Sequence, residues 1–155
     1  MNTISGDLIQ LAVNGQFDLI AQGCNCYSTM GAGIARAVME VFPSAFEADR
    51  ATKRGDRAKL GRCTFAVIAF ETSLLIVVND YRQFDWRGRG AKVDYAAVRS
   101  CMGWIKRRHP GGRIGLQKIG AGLAGGDWLT ISSIIEEELA GENVTLVEYP
   151  PKFRT

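Results

Sequence analysis

Histidine is nearly absent: the 155 residues contain one, His109, in the run Arg107-Arg-His-Pro110. With that one imidazole at the end of an expected helix, a Cys–His nucleophile pair or a zinc site lacks its parts, so Cys24 and Cys26 read as small packing thiols and no metal is expected. Cysteine is sparse as well. Cys24, Cys26, Cys63 and Cys101 do not have the spacing of a disulfide framework, and a cytoplasmic chain would keep them reduced. No apolar run approaches the roughly 20 residues that span a bilayer; the longest are Thr64–Phe70 and Leu74–Val78. The N-terminal Met-Asn-Thr-Ile-Ser-Gly-Asp has no basic segment followed by an apolar one, so neither a signal peptide nor a membrane partner is expected, and the location expected is the cytoplasm. Charge of one sign is also in short supply, with 19 Lys and Arg against 16 Asp and Glu and a net +3. A protein held by nucleic-acid phosphates gathers a stronger basic cluster on one face. The densest basic stretch, Arg82 to Arg113, is spread over a loop and a helix and reads mostly as solvated surface, which disfavours nucleic acid as a partner. No repeat, low-complexity tract or Ser/Pro-rich linker divides the chain, and 46% hydrophobic residues suffice for an ordinary core, so residues 1–155 read as one domain.

What is present is an alternation of strand-like and helix-like segments. Phe17–Ala21 predicts a short buried strand, and Gly33–Phe42 carries apolar residues at helical spacing. Pro43 suits the first turn of a second helix that fades by Gly55. Thr64–Phe70 and Leu74–Asn79, separated by Glu-Thr-Ser, predict a hairpin. Val93–His109 predicts a helix stopped by Pro110-Gly-Gly112, followed by a strand at Ile114–Ile119, a helix at Asp127–Leu139 and a strand at Val144–Tyr149. Trp104 and Trp128 read as core. Short central strands alternating with covering helices define the α/β class, with a mixed sheet between helical layers.

Two glycine-rich segments each follow a strand and precede a helix: Gly23-Cys-Asn-Cys-Tyr-Ser-Thr-Met-Gly31-Ala-Gly-Ile-Ala35 and Ile119-Gly-Ala-Gly-Leu-Ala-Gly-Gly-Asp-Trp128. Glycine lets several backbone N–H groups converge on one anion, and the helix that follows adds unpaired donors and the positive end of its dipole. Two such loops on one sheet make a clamp for a diphosphate; the plainer alternative is that the glycines only punctuate turns. Gly120, Gly122 and Gly125 with Glu148 also satisfy the dinucleotide pattern. A Rossmann domain, however, needs several further strands after that turn, and here one helix and one strand remain. No Gly-Lys-Ser/Thr sequence signals a P-loop.

Gly6-Asp7-Leu8, the Gly-Cys-Asn-Cys…Met-Gly-Ala-Gly-Ile-Ala loop, Phe42-Pro43, Lys59-Leu-Gly61, Asn79-x-Tyr-x-Gln83 and Ile-Gly-Ala-Gly-Leu-Ala-Gly-Gly-Asp-Trp128 together resemble the macrodomain, and more narrowly the ADP-ribose 1''-phosphate-processing branch of bacterial and phage proteins. The resemblance runs from Ser5 to Tyr149. It implies a three-layer α/β/α domain with a central mixed sheet that binds ADP-ribose, or a phosphorylated or O-linked derivative, at the strand ends; an ADP-ribosylated macromolecule is a further partner it implies, and no cofactor is implied. Carried over by position, Asp7 accepts from the adenine amino group, Leu8 offers its backbone N–H, and Asn25 contacts the distal ribose. Met30, Gly31, Ala32, Gly33 and Ile34, with Gly120, Ala121, Gly122, Leu123, Ala124 and Gly125, enclose the diphosphate and distal ribose. Tyr149 stacks beside adenine.

Asp7, Asn25 and Asp127 also have plainer roles available, as helix caps and a turn residue. In related macrodomains a lysine near the position of Arg82 acts on the anomeric carbon, and an acid near Ala124 serves protein esters. Arginine stays protonated and cannot be that nucleophile, but its planar fork can hold a phosphate. The catalytic candidates are therefore Asn25, Asp127 and Arg82. Three readings stand: a hydrolase, a non-catalytic ADP-ribose reader, and a nucleic-acid-binding accessory protein using the 82–113 region.

Overall fold

Successive residues of the central strands enter two different cores, as the period of two in a β-strand requires. In the computed structural model, which describes residues 1–88, 92–118 and 126–150, Leu19 and Ala21 face one core and Ile20 the other; Val78 and Val77 divide in the same way, as do Leu146 and Val147. These residues belong to β2 (Leu19–Asn25), β4 (Leu74–Gln83) and β6 (Asn143–Glu148) of a six-stranded sheet that also holds β1 (Asn2–Ser5), β3 (Cys63–Ala69) and β5 (Arg113–Gln117). The order is β1-β6-β5-β2-β4-β3, parallel throughout except for β3, which runs antiparallel to β4 at one edge. Helices α1 (Leu8–Val13), α2 (Gly33–Val41) and α3 (Pro43–Arg50) cover one face, where Leu8, Val38 and Ala45 join Ile20 and Val77. Helices α4 (Tyr95–Arg108) and α5 (Trp128–Glu138) cover the other, bringing Val98, Met102, Ile131 and Ile135 onto Leu19 and Ile114. The fold is the expected mixed α/β arrangement in three layers.

Several boundaries differ from the sequence expectation, each for a local reason. Phe17 precedes β2 and lies against Gly115, where a Cβ would come within 2.7 Å of its ring. Strand β2 instead continues to Asn25, because its backbone keeps pairing with β4 through Gln22, Gly23 and Cys24 although those side chains show no apolar alternation. Helix α4 begins at Tyr95 because Asp94 caps it, accepting from the Ala97 N–H at 2.9 Å, while Val93 bridges to Gln83. The four-residue β1, exposed throughout, has no apolar pattern to announce it. Trp104 and Trp128 pack on the first core but are only half-buried.

The connections create one topological switch. Strands β2 and β5 are neighbours and parallel; β2 leads to α2 on one face of the sheet, and β5 leads to α5 on the other. Where successive connections part in this way, a crevice opens beyond the carboxyl ends of the two strands.

Candidate functional site

The loop leaving β2 is built around Asn25. A register shift between Cys24 and Asn25 is the kind of bulge that re-aims a side chain at a strand end. Asn25 is buried; its amide Nδ2 donates to Thr29 Oγ1 at 2.6 Å, and its Oδ1 accepts from the Tyr27 N–H at 2.8 Å. These bonds close a tight turn, which is the plainer of the two roles expected of Asn25. Ser28 holds a φ of 55°, in the left-handed region that costs a non-glycine residue energy. Its hydroxyl is tied to Asp49 of α3, at 3.2 Å to the backbone carbonyl and 3.3 Å to the carboxylate. Asp49 in turn accepts from Tyr81 Oη at 2.7 Å, and Lys59 Nζ lies 5.1 Å from the Tyr81 ring. Burial pushes the Asp49 carboxyl above its usual range.

Met30 then sinks among Cys24, Cys26 and Tyr81, leaving Gly31, Ala32 and Gly33 exposed. Burial raises the Cys24 and Cys26 thiols, which suits inert packing residues. Helix α2 starts immediately after, with Ala32 at its N-cap and no side-chain acceptor there. By contrast α1, α4 and α5 are each capped by an aspartate, Asp7, Asp94 and Asp127. The N–H groups that open α2 thus have no side-chain cap, and residues 31–33 beside them are exposed.

At the opposite end of the row, β1 and β6 run side by side, with Ser5 opposite Glu148 and the Gly6 N–H donating to the Glu148 carbonyl at 2.9 Å. This pairing brings Asp7 and Tyr149 together. Asp7 caps α1, accepting from the Ile9 and Gln10 N–H groups at 2.9 and 3.2 Å. A hydrogen bond to Asp7, then burial and the carboxylate charge, raise the half-exposed Tyr149 phenol above its usual pKa. Leu8 is buried at the start of α1. The β1/β6 end and the β2 loop are three strands apart in the sheet order, about 14 Å at the usual interstrand spacing.

Other candidates are placed differently. Arg82 is buried, and its guanidinium forms a two-pronged pair with the fully buried Asp80, two residues away on the same face of β4. The fork expected to meet a phosphate is therefore satisfied inside the protein. Its stem lies so close to Gly23 that a Cβ there would sit 2.6 Å from Arg82 Cδ and Nε. Asp127 caps α5, accepting from the Leu129 N–H at 3.2 Å and from Thr130 Oγ1 at 2.8 Å, so both oxygens have local partners. The second glycine segment, Gly120, Ala121, Gly122, Leu123, Ala124 and Gly125, lies outside the described residues. Gly126, where the chain re-enters, is buried so tightly that a Cβ would come within 2.5 Å of Val93.

Sequence reasoning did not single out Ser28 or Asp49, and it quoted Lys59 and Tyr81 only within the motifs Lys59-Leu-Gly61 and Asn79-x-Tyr-x-Gln83, with no role behind the β2 loop. It also did not identify the wall beside that loop, where Tyr27 meets Phe84 and Trp86 edge-on at 5.2 and 6.0 Å while Arg57 lies 3.8 Å over the Phe84 ring. These groups come from four separated stretches of chain, and no local spacing links them. Among the described residues no cluster of three or more His, Cys, Asp or Glu could hold a metal ion, and no helix is long and apolar enough to cross a membrane.

Comparison with known proteins fits this geometry. The macrodomain of Mycobacterium tuberculosis DarG superposes with a TM-score of 0.72 at 23% identity, covering 97% of both chains. Thermosipho africanus DarTG in complex with ADP-ribose also gives 0.72, at 14% identity, over all of this chain and 43% of that one. These likenesses give the chain the macrodomain fold. At the sequence level, an uncharacterized 17.5 kDa protein in the tk-vs intergenic region of Enterobacteria phage T4 is 34% identical over 155 residues, 96% of each chain. The chain belongs to the family of that phage protein. No family model matches the sequence.

Proposed function

We propose that the protein binds ADP-ribose across the carboxyl ends of β1, β6, β5 and β2, and hydrolyses a phosphate or other O-linked group from the distal ribose. The observation that carries this reading is the uncapped start of α2 beside the exposed 31–33 backbone, at the mouth of the β2/β5 crevice. A helix N-terminus of this kind attracts a phosphate, and it stands in line with Asp7 and Tyr149, which suit the hydrogen-bonding edge and the face of adenine. The T. africanus DarTG chain, 43% of which superposes on this one, is in complex with ADP-ribose.

In this reading Gly31, Ala32, Gly33 and Ile34 cradle the diphosphate. Asn25, with Thr29, positions the distal ribose, and Asp127 orients a water. The rate gain comes from holding the ester and the attacking water in register and from backbone dipoles that stabilise developing charge. Calorimetry with ADP-ribose should give a micromolar or tighter Kd, about −8 kcal/mol, and phosphate should be released from ADP-ribose 1''-phosphate. Asn25→Ala should lower turnover more than affinity. No binding at millimolar ADP-ribose would refute the whole reading. A second reading, a reader without turnover, is favoured by one specific feature: the side chains of Asn25, Asp127 and Arg82 all have internal partners. Binding without turnover on either ester class would establish it.

A further inference from the structure

The edge of the sheet away from the crevice carries a separate concavity. It is an open depression of about 490 Å³ between the start of β3 and the outer face of α4, lined by Arg62, Arg99, Arg107, Ser100, Trp104 and Glu138 among others. Three arginines line it together with one acidic residue, Glu138. Glu137 and Glu138 engage Arg99 at 2.7 and 2.8 Å, whereas Arg62 and Arg107 form no ion pair among the described residues. In the sequence these arginines are dispersed; the fold gathers them.

Two glycines shape the depression. Gly61, with a φ of 81°, turns the chain so closely onto α4 that a Cβ would lie 3.2 Å from Ser100. Gly103 sits in the interior of the 14-residue α4, where glycine costs about 1 kcal/mol relative to alanine. A Cβ at Gly103 would lie 3.2 Å from Arg107 Nη1 and 3.4 Å from Glu138 Oε2. Helix propensity is given up at the one place where a side chain would raise the floor beneath Arg107. Trp104 forms the adjoining wall, 5.9 Å from the Phe65 ring, with the Arg108 guanidinium 5.2 Å over Trp104. Phe65 itself is 39% exposed.

The geometry points to a second binding site, in which the Arg62 and Arg107 guanidiniums grip the phosphate of a nucleotide unit whose base packs on Trp104 and Phe65. Paired guanidiniums suit a phosphate dianion, and an aromatic platform beside them distinguishes a nucleotide from bare phosphate. The volume lies in the range of small-ligand sites, while the open form also admits one unit of a longer single strand. The inference is independent of the ADP-ribose reading.

The test uses the whole chain with two probes that lack adenine, dTMP and a ten-residue oligothymidylate. Wild type should bind at least one of them, and Arg62→Ala/Arg107→Ala should weaken that binding at least tenfold while the urea midpoint and ADP-ribose affinity stay unchanged. Gly103→Ala, which raises helix propensity, should weaken the same binding at least threefold without loss of stability. Binding of the oligothymidylate alone assigns the site to a strand, and the double variant should then lower the salt slope by about 0.7, the value for one lost phosphate contact. Equal binding of dTMP assigns it to a free nucleotide. No binding of either probe at millimolar concentration, or binding unchanged in both variants, overturns the proposal.

Discussion

A guanidinium that is 5% exposed and paired with a fully buried carboxylate has its consequences first in folding. Arg82 keeps its charge at any ordinary pH, and Asp80 is the counter-charge that makes its burial tolerable. Removing one partner strands the other, so Arg82→Ala should destabilise the protein by about 3–5 kcal/mol, whereas Asp80→Leu/Arg82→Met should stay near wild type or exceed it. Urea midpoints would decide this. The double variant also separates structure from chemistry. If it folds as well as wild type and still turns over substrate, Arg82 is a strut; if it folds but has lost turnover, the side chain acts on the ligand. The pair was legible in the sequence only in principle, as two charged residues at strand spacing i, i+2. Nothing in Asn79-x-Tyr-x-Gln83 said that Gly23 would make room for the arginine stem.

At the scale of elements, the β2 loop is held in shape by α3 and β4. Asp49 takes the hydroxyls of Ser28 and Tyr81, and this buried acceptor fixes the one non-glycine residue with positive φ among the described residues. Burial is the largest influence on Asp49 and raises its pKa above the roughly 3.9 of an unfolded chain. Between those values the folded state binds more protons than the unfolded one, so this group's contribution to stability falls as pH rises from about 4 through the raised value, and is flat beyond. Asp49→Asn removes that slope. The stability of the variant relative to wild type should therefore improve with rising pH over this window; a difference that is flat from pH 4 to 8 in urea titrations would contradict the raised carboxyl. The strands and helices with clear periodicity were legible in advance, as were the hairpin and the helix stop at Pro110. The end of β2 was not, because Gln22–Asn25 pair through their backbone while Gln22 bonds to Asn79, Cys24 packs with Met30 and Tyr81, and Asn25 closes the turn. The four-residue β1 was hidden for a related reason: it completes the sheet edge beside β6 without burying a side chain.

For the molecule as a whole, strand order decides where a ligand can sit, and the candidate site uses two helix starts in opposite ways. Asp7 caps α1 at one end of the row, whereas α2, at the other end, begins at Ala32 with no side-chain acceptor. An aspartate at Ala32, whose φ of −150° and ψ of 159° suit an N-cap, should stabilise the unliganded protein by about 1 kcal/mol. The same carboxylate would occupy the N–H groups proposed to meet the diphosphate and place a negative charge beside it. Stability and affinity should therefore move in opposite directions. In wild type, ADP-ribose at 100 times its Kd should add about 2.7 kcal/mol of stability; in Ala32→Asp, with affinity at least tenfold lower, that gain should fall to about 1.4 kcal/mol or less at the same concentration. Ala32→Ser supplies the neutral cap and should fall between the two. Thermal melts with and without ligand on the three proteins measure both quantities at once. A more stable Ala32→Asp variant that still gained the full ligand shift would place the diphosphate somewhere other than the start of α2.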